Sequence, residues 1–272
     1  MKKIDIPKEK LVELYSEKQL TMFEIAEIYN VDRTTISNKL REFEIDSDPS
    51  LRKYRILRAV PFTKQQRELV VGSTLGDGSV ILGAKRKTSY FKVAHCEKQK
   101  DYLMWKKEVL GNFVNTITKN ADKRGNSIMY GFATISHQEL NYFRKLFYDN
   151  NKKIIKDEIG LHLTPLGLAV WFMDDGTLSG TCNYKLATDG FSREDNYKLA
   201  NILKINFDLN AKVLEYERRN QKYYYLFFNK RNSINMTEII KPHMVDCMKY
   251  KLMTDCSSTT TCQASLSEPV QK

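Results

Sequence analysis

The sequence predicts an α+β fold made of two similar halves, preceded by a small all-α domain. An apolar helix that ends in Asp-Gly occurs twice, at Asp77 and at Asp175, and the same alternation of strand pairs and helices follows each copy. This internal repeat gives each half the element order αββαββα. Three amphipathic segments before residue 46 predict the helical domain.

The longest apolar run, residues 163–176, contains the clearer of the two copies. Thr164 can cap a helix whose first turn accepts Pro165, and the apolar residues that follow end in two aspartates and a glycine. A helix C-terminus carries partial negative charge, so carboxylates there are unfavourable unless a cation binds nearby. The run therefore predicts a buried helix with a metal site at its end.

A looser copy of this pattern lies upstream. Residues 63–66 read as a capping box, and the apolar run that follows ends in Gly-Asp-Gly at Asp77. Small residues at helical spacing, including Gly72 and Ser73, allow another helix backbone to approach closely. A lone Gly-Asp-Gly is usually a turn. The pair predicts two helices that pack side by side and bring Asp77 and Asp175 together.

The composition favours a polyanionic partner. The 272 residues include 44 Lys and Arg against 33 Asp and Glu, which gives a net charge of +11 and a pI near 9.2. Residues 1–45 hold 8 basic and 9 acidic residues, so the positive excess lies with the two motif helices. No apolar run approaches the ~20 residues needed to cross a membrane, and no signal peptide is evident. We expect no membrane partner and an intracellular location, in the cytoplasm with the nucleoid or in an organelle matrix.

Cysteines and histidines form no metal-binding pattern in the sequence. The five cysteines are scattered, without Cys-x-x-Cys or Cys/His pairs at zinc spacing, and we interpret them as free thiols. The four histidines share no common spacing. These observations argue against a His/Cys metal nuclease.

The N-terminal segments 8–16, 21–29 and 33–43 resemble a helix-turn-helix. Thr21 begins a capping box, and the predicted inner face of the second helix is made of Phe23, Ile25, Ala26 and Ile28. The third helix presents side chains that can meet base edges and phosphates. Its predicted DNA contacts are Arg33, Thr34, Thr35 and Asn38. A three-helix domain that binds protein is the alternative.

The remaining chain divides by its patterns of strands, helices and breaks. The predicted strands are residues 79–82, 89–95, 116–119, 127–135, 177–178, 184–187, 212–216 and 222–228. The predicted helices between them are residues 100–114, 137–148, 192–207 and 233–243. The predicted domains are a helix-turn-helix at 1–45, a basic linker at 46–60, halves at 61–155 and 156–252, and a disordered tail at 253–272.

The second motif, Leu-Thr-Pro-Leu-x-Leu-Ala-x-Trp-Phe-Met-Asp-Asp-Gly, closely resembles the second signature of the single-chain LAGLIDADG homing endonucleases. Residues 70–78 resemble the first signature, and the resemblance extends from Pro61 to the closing Tyr-Lys-Leu at Leu252. Val170 and Asp174 depart from it, because the consensus prefers small residues at these two positions.

The resemblance implies a metal-dependent nuclease site with one acidic helix end at each of two scissile phosphates. The implied metal ligands are Asp77 and Asp175, with the carbonyls of Gly76 and Asp174. Hard carboxylate oxygens suit Mg²⁺ better than zinc, so Mg²⁺ is the expected cofactor. Lys153 lies 76 residues after Asp77 and Lys251 lies 76 after Asp175, at positions that match basic residues near the cleaved phosphates in the family.

The two halves are expected to form a DNA-binding saddle around a pseudo-twofold axis. Basic turns and strand residues would face double-stranded DNA from this saddle. The predicted contacts are Lys85, Arg86, Lys87, Lys92, Lys123, Arg124, Tyr184, Lys185, Arg218, Arg219 and Lys222. The alternative interpretation of these residues is that they are charged only because turns are exposed to water.

The resulting prediction is a monomeric homing endonuclease that makes a metal-dependent double-strand break in a long DNA target site. Two alternatives stay open. An RNA-splicing maturase keeps the same fold, although both motif aspartates are present here and favour cleavage. A helix-turn-helix transcription regulator with an inactive nuclease domain is supported by residues 1–45 alone.

Overall fold

The computed structural model describes residues 6–18, 20, 22–45, 57–83, 88–121 and 127–253. The chain divides into two compact units, Met1–Val60 and Pro61–Lys272. The finer division into linker, halves and tail stays a prediction. Several predicted features lie outside the described residues, and they are Thr21, the linker residues 46–56, residues 254–272, Lys85, Arg86, Lys87, Lys123 and Arg124.

The first unit is a bundle of three short helical segments. Its elements are α1 (Lys8–Leu11), which continues as a π-helical segment (Val12–Glu17), α2 (Met22–Tyr29) and α3 (Arg33–Glu42). The α2–α3 turn begins at Asn30, whose φ is 51°, and Asp32 then caps α3 by accepting from the Thr34 amide. The predicted turn of the helix-turn-helix is therefore present.

The inner face of α2 differs from the prediction. Ile25 and Ala26 are buried as expected, together with Met22, but Phe23 is 62% exposed and Ile28 is 58% exposed. At about 100° per residue, a helix that buries positions 22, 25 and 26 turns positions 23 and 28 outward. The prediction for Phe23 and Ile28 was wrong because it treated every apolar residue of the helix as part of one face.

The second unit begins with a motif helix and a four-stranded sheet. Its first elements are α4 (Lys64–Leu75), β1 (Ser79–Leu82), β2 (Ser89–Cys96), α5 (Lys100–Leu110), β3 (Thr118–Ala121), β4 (Ile128–Ala133) and α6 (Gln138–Phe147). Helix α5 ends four residues earlier than predicted, because Gly111 adopts a φ of 55° and starts a turn. A short hairpin, β5 (Tyr148–Asp149) and β6 (Lys152–Lys153), leads on toward the second motif helix.

The second half repeats this order. Its elements are α7 (Pro165–Asp175), β7 (Gly176–Ser179), β8 (Asn183–Ala187), α8 (Arg193–Phe207), β9 (Lys212–Arg218), β10 (Gln221–Phe228) and α9 (Lys230–Ile240). Helix α9 starts three residues earlier than predicted because the Asn229 side chain caps it, accepting from the Asn232 amide.

The two sheets have the same antiparallel topology. The strand order is β1-β2-β4-β3 in the first sheet and β7-β8-β10-β9 in the second. In each sheet the first two strands form a hairpin. The fourth strand in sequence pairs with the second, as β4 does with β2 and β10 with β8. The repeat inferred from sequence is thus an architectural repeat, and the predicted α+β class with two sheet-containing halves is confirmed.

The motif helices α4 and α7 pack directly against one another at the centre of the second unit. Helix α7 is almost wholly buried from Gly167 to Asp174. A Cβ atom added to Gly72 would lie 2.2 Å from the Gly167 carbonyl oxygen and 2.9 Å from Val170 Cβ. Gly72 therefore makes room for the larger Val170, which explains how the second motif tolerates a departure from the small-residue pattern.

Among the described residues, no helix is both long and apolar enough to span a membrane. Cys96 and Cys247 are free, as expected, but Cys182 is disulfide-bonded, so the free-thiol interpretation was wrong for that residue.

Candidate functional site

Both acidic motifs lie where the two central helices end. Thr63 closes the predicted capping box at the start of α4, and Thr164 caps α7 by accepting from the Gly167 amide. Asp77 comes immediately after Gly76, the C-cap of α4, and Asp175 is the last residue of α7. Because the helices run side by side, their C-terminal ends meet at one place. The packing brings together the two carboxylates that the sequence predicted to meet.

The two carboxylates are crowded with negative charge. Burial, and then the carboxylates of Asp77 and Asp174, raise the pKa of Asp175 to about 7. The pKa of Asp77 is also raised, first by burial and then by Asp174. Carboxylates that resist ionisation in this way are favourable positions for a bound cation, which offsets their mutual repulsion.

A lysine caps each of the two helix ends. Lys153 donates to the carbonyl oxygens of Gly76 and Gly78 at 3.2 and 2.9 Å. Lys251 donates to the carbonyl oxygens of Met173 and Asp174 at 2.5 and 3.1 Å. One contact of each lysine is equivalent in the two halves, because Gly76 and Asp174 occupy the same position of the two motifs. An ammonium group at a helix C-terminus is favourable because it faces exposed carbonyl oxygens.

The elements that present the two lysines were not predicted. Lys153 ends the β5–β6 hairpin, whose turn residues Asn150 and Asn151 both have positive φ, at 44° and 66°. Two successive positive φ values are typical of the type I′ hairpin turn, for which asparagine is a preferred residue. The Asn-Asn pair was the signal in the sequence. Lys251 ends a 3₁₀ helix, Asp246–Lys251.

Of the two aspartates Asp77 and Asp175, each lysine interacts more strongly with the one from the other motif. Burial lowers the pKa of Lys153, and Asp175 is the carboxylate that most opposes this. Burial also lowers the pKa of Lys251, opposed first by Asp174 and then by Asp77. Lys153 and Asp175 also line one cleft of about 220 Å³. The shared cleft places Asp175 beside Lys153, and among the two aspartates Lys251 interacts more with Asp77.

Asp174 has a role that the sequence did not suggest. Its side chain is buried within the first half, where Oδ1 accepts from Lys106 Nζ at 2.7 Å and from the Tyr102 hydroxyl at 2.8 Å. Oδ2 accepts from the Ser73 hydroxyl at 2.9 Å and from the Asp77 amide at 3.2 Å. Four donors therefore hold this carboxylate. The prediction concerned the Asp174 carbonyl alone, and its role as a metal ligand stays a prediction.

Lys106, Tyr102 and His95 form the rest of this buried network. Lys106 Nζ donates to Ser73 Oγ at 2.8 Å and lies 3.1 Å from His95 Nε2. Burial lowers the pKa of Lys106 against the opposing effect of Asp174, and it raises that of Tyr102. Burial, then Lys106, lowers the pKa of His95 to about 4, which keeps the imidazole neutral near pH 7. The sequence signal for these residues was weak, because they have no common spacing with the motifs.

One group among the described residues has the composition of a metal site. Ligand atoms of Asp77, His95 and Asp174 all lie within 4.8 Å of one another. The Asp174 carboxylate already accepts four hydrogen bonds, whereas Asp77 and Asp175 are partly exposed at the helix ends. Hard oxygen donors of this kind fit Mg²⁺ or a similar divalent ion. Asp77 and Asp175 could hold such an ion, and their assignment as its ligands stays a prediction.

The predicted DNA contacts on strands are divided between the two faces of each sheet. Lys92 is exposed on the face opposite the helices, and Lys185 lies on the corresponding face of the second sheet. Arg218 is on this open face as well, with its guanidinium carbon 5.7 Å from the Tyr223 ring centre. Arg219 lies in the β9–β10 turn with a φ of 55°.

Two of the predicted contacts do not lie on the open face. Tyr184 is fully buried, and its hydroxyl is hydrogen-bonded to Thr237 Oγ1 at 2.8 Å under α9. Strand alternation places Lys222 on the same side as the buried Leu226, where it forms an ion pair with Glu215 at 3.0 Å. The prediction that Tyr184 contacts DNA was wrong, because residue type was weighed ahead of strand phase and the side chain is buried. Lys222 is exposed on the other side of its strand, and its contact with DNA stays a prediction.

The predicted contacts of the first unit lie on the outer side of α3. Arg33, Thr34 and Asn38 are exposed, and Thr35 is half-buried. The Thr34 hydroxyl donates to Asp32 Oδ1 at 2.6 Å, so this group is already engaged in the helix cap. The remaining side chains are free of the unit's core.

The LAGLIDADG DNA endonuclease family model matches residues 67–236, which include both motif helices and both sheets. The chain belongs to this family. The structure of the homing endonuclease I-WcaI bound to its DNA recognition sequence aligns with a TM-score of 0.67 and 25% identity. The alignment covers 77% of this chain and 94% of that chain.

Three LAGLIDADG-region relatives illustrate the range of similarity. DNA endonuclease I-ChuI from Chlamydomonas applanata is 28% identical over 207 residues, covering 70% of this chain and 95% of that protein. Cytochrome b mRNA maturase bI2 from Debaryomyces hansenii is 28% identical over 199 residues, 71% of this chain and 75% of that protein. Protein RecA from Mycobacterium shimoidei is 27% identical over 233 residues, 80% of this chain. The match spans about half, 54%, of that RecA protein.

Proposed function

We propose that this LAGLIDADG protein is a site-specific homing endonuclease that makes a metal-dependent double-strand break in a long DNA target. The observation that carries the proposal is the meeting of two acidic helix ends, each with a lysine on its terminal carbonyls. Two equivalent acid and lysine pairs in one chain suit the cleavage of two strands. The chain would therefore act as a monomer.

Phosphodiester hydrolysis requires an activated water and compensation for the charge that develops on the phosphate and the leaving oxygen. Asp77 and Asp175 would hold Mg²⁺, which supplies both functions when bound. The raised pKa of Asp175 disfavours its charged form in the absence of a cation. Lys153 and Lys251 would place a positive charge or an ordered water next to the cleaved phosphate, one at each site.

The open faces of the two sheets are the proposed DNA-binding surface. Lys185 lies over the Tyr225 ring at 4.0 Å and over the Tyr216 ring at 5.3 Å, which holds its charge above an aromatic layer. Lys92 supplies a positive charge on the first sheet. A net charge of +11 strengthens binding to the phosphate backbone. The first unit would add a helix in a neighbouring groove.

The proposal is tested on the chromosomal site at which the gene is inserted, with the insertion removed. Supercoiled plasmid carrying this site is incubated with purified protein and Mg²⁺, Mn²⁺, Ca²⁺ or EDTA. We expect a linear product with Mg²⁺ and an uncut plasmid with EDTA. Tight binding to the site without cleavage of either strand under every metal condition would contradict the endonuclease function.

RNA splicing is a second candidate function, because one relative is an mRNA maturase. The matching intron RNA is incubated with protein and with an Asp77→Asn, Asp175→Asn double variant. Splicing that survives this double change, together with absent DNA cleavage by the unchanged protein, would favour the maturase. Sequence-specific binding without either reaction would favour a transcription regulator. A DNA substrate also makes the cell interior the proposed location.

A further inference from the structure

His95 lies between the buried Lys106–Asp174 ion pair and the carboxylate of Asp77. Its Nε2 atom is 3.1 Å from Lys106 Nζ, and its Nδ1 atom is 3.4 Å from Asp77 Oδ2. The residue is only 2% exposed, so its ring atoms depend on protein partners. Among the described residues Nδ1 is buried and makes no hydrogen bond of good geometry, so Asp77 Oδ2 is a nearby carboxylate oxygen that the ring faces.

The contacts of Lys106 determine which ring nitrogen carries the hydrogen. An ammonium group has three hydrogens and no acceptor. Lys106 directs them to Ser73 Oγ, Asp174 Oδ1 and His95 Nε2, at 2.8, 2.7 and 3.1 Å. Nε2 must therefore accept with its lone pair. The hydrogen of the neutral imidazole then lies on Nδ1, which faces Asp77.

We propose that His95 is a positioning residue for Asp77, in which Nδ1–H is directed toward Oδ2, 3.4 Å away, and favours the carboxylate orientation that leaves the other oxygen for the metal. This inference rests on the proposed endonuclease function. It also excludes His95 as a ligand, because one ring nitrogen carries hydrogen and the lone pair of the other faces Lys106. Partners that orient a metal-binding carboxylate without touching the metal are a common feature of metal sites.

The same device does not occur at the second carboxylate. Counting from the motif glycines in the β1–β2 and β7–β8 registers, the position of His95 in the second half is occupied by Thr188. The Thr188 hydroxyl instead lies within hydrogen-bonding distance of Asn196 Oδ1 and of the Tyr224 carbonyl oxygen, and its one hydrogen can be donated to either. His95 therefore supports one of the two acidic ends, which makes the two sites unequal in a way that the repeat would not suggest.

Nitrogen-15 NMR of the histidine side chains tests the tautomer directly in the full-length protein. The chain has four histidines, and the His95 signal is assigned by its loss in a His95 variant. We expect a neutral ring protonated on Nδ1. We further expect Asp77→Ala to shift this Nδ1 resonance and Asp175→Ala to leave it in place. A ring protonated on Nε2, or insensitive to Asp77, would overturn the proposal even where no variant is active.

Two amide variants separate positioning from packing in cleavage assays. In His95→Asn the amide nitrogen can take the place of Nδ1–H and donate to Asp77, whereas in His95→Gln the amide can accept from Lys106 but loses that donor. We expect His95→Gln to lower the single-turnover rate on one strand about tenfold and to raise the half-saturating Mg²⁺ concentration. His95→Asn should stay within about threefold of the unchanged protein.

Gln99 provides the matched control, because its side chain also interacts with the His95 ring. Gln99→Ala should leave the strand ratio and the Mg²⁺ requirement unchanged. DNA affinity in Ca²⁺ should be equal for all three variants, which shows that the protein and its DNA surface are intact. The reverse order, with His95→Asn slower than His95→Gln, would assign His95 to the packing of Lys106 and reject the proposal. Failure of the unchanged protein to cut would instead reject the endonuclease function, and the NMR result would still stand by itself.

Discussion

Asp174 at the end of α7 accepts a hydrogen bond from the backbone amide of Asp77, with 3.2 Å between Oδ2 and the nitrogen. A side chain of the second motif thereby holds the backbone of the first. The contact is possible because Gly76 has no side chain, and a Cβ there would lie 2.5 Å from Asp174 Cβ. The reciprocal contact cannot form, since glycine occupies the matching position of the first motif.

Loss of either motif aspartate is expected to slow the cleavage of both strands. Asp77→Asn and Asp175→Asn each remove a carboxylate charge from a shared environment, so the neighbouring ion is disturbed as well. We expect each variant to lose roughly 100-fold or more in rate, equivalent to ~3 kcal/mol of transition-state stabilisation. Strand-specific end labelling under single-turnover conditions measures this. Full-rate cleavage of one strand by either variant would show that the two acidic ends act independently.

The two lysines should affect opposite strands. Lys153→Ala and Lys251→Ala each remove an ammonium group from one helix end, so each should convert the enzyme toward nicking. We expect the affected strand to be cut about 100-fold more slowly, at the lower end of the usual range for a group that assists proton transfer. A nick time course on supercoiled DNA, followed by end labelling, identifies the strand.

Lys152 is the control for this pair, because it is an exposed lysine next to Lys153. Lys152→Ala should cut both strands at the unchanged rate. Equal slowing of both strands by Lys153→Ala and by Lys251→Ala would mean that neither lysine serves one strand in particular.

Breaking the buried ion pair should destabilise the protein strongly. Lys106→Met leaves the Asp174 carboxylate buried without its main counter-charge, and such changes cost about 3–5 kcal/mol of unfolding free energy. The double variant Lys106→Met, Asp174→Asn should recover a large part of this loss, because the uncompensated charge is gone. Urea unfolding of both variants measures the difference. A double variant less stable than Lys106→Met alone would contradict this account.

The contact between α4 and α7 should not tolerate an added methyl group at Gly72. Gly72→Ala brings a Cβ within 2.2 Å of the Gly167 carbonyl oxygen, which is backbone and has little freedom to move. Overpacking of this kind costs about 1–3 kcal/mol, and we expect the upper end of that range. Gly160→Ala is the matched control, since its Cβ would meet Ile202 at an ordinary 3.5 Å. Equal melting temperatures of the two variants would show that the helices can move apart freely.

Deletion of residues 1–45 should weaken DNA binding without abolishing cleavage. The two units have separate cores, and both acidic ends and both lysines belong to the second unit. We expect a higher Kd and a smaller dependence of log Kd on salt, because phosphate contacts are lost. Gel-shift titrations at two salt concentrations measure this. Loss of cleavage at saturating concentrations of a folded deletion variant would make the first unit part of the catalytic machinery.

Much of this architecture could be predicted from local sequence patterns. The capping residues Thr63 and Thr164, the apolar runs behind them and the Asp-Gly ends specify two buried helices that stop at acidic residues. Helix caps and hydrophobic periodicity depend on residues that are close in sequence, so they can be recognised without knowledge of the rest of the chain. The equal spacing of Lys153 and Lys251 from their motif aspartates can be recognised for a different reason, because an internal repeat preserves sequence spacing.

Other features of the molecule depend on contacts between residues that are far apart in sequence, and these could not be predicted from local patterns. Tyr184 and Lys222 belong to strands whose composition suits DNA binding, but the register of neighbouring strands set the face on which each lies. The buried network joins residues that are distant in sequence. Lys106 and Asp174 are 68 positions apart, and the ring of His95 lies beside both. Local sequence patterns are enough to specify the two acidic helices and the repeat around them. Only the packing of α4 on α7 decided that Asp174 serves the first motif, because that contact requires a glycine on one helix to face a carboxylate on the other.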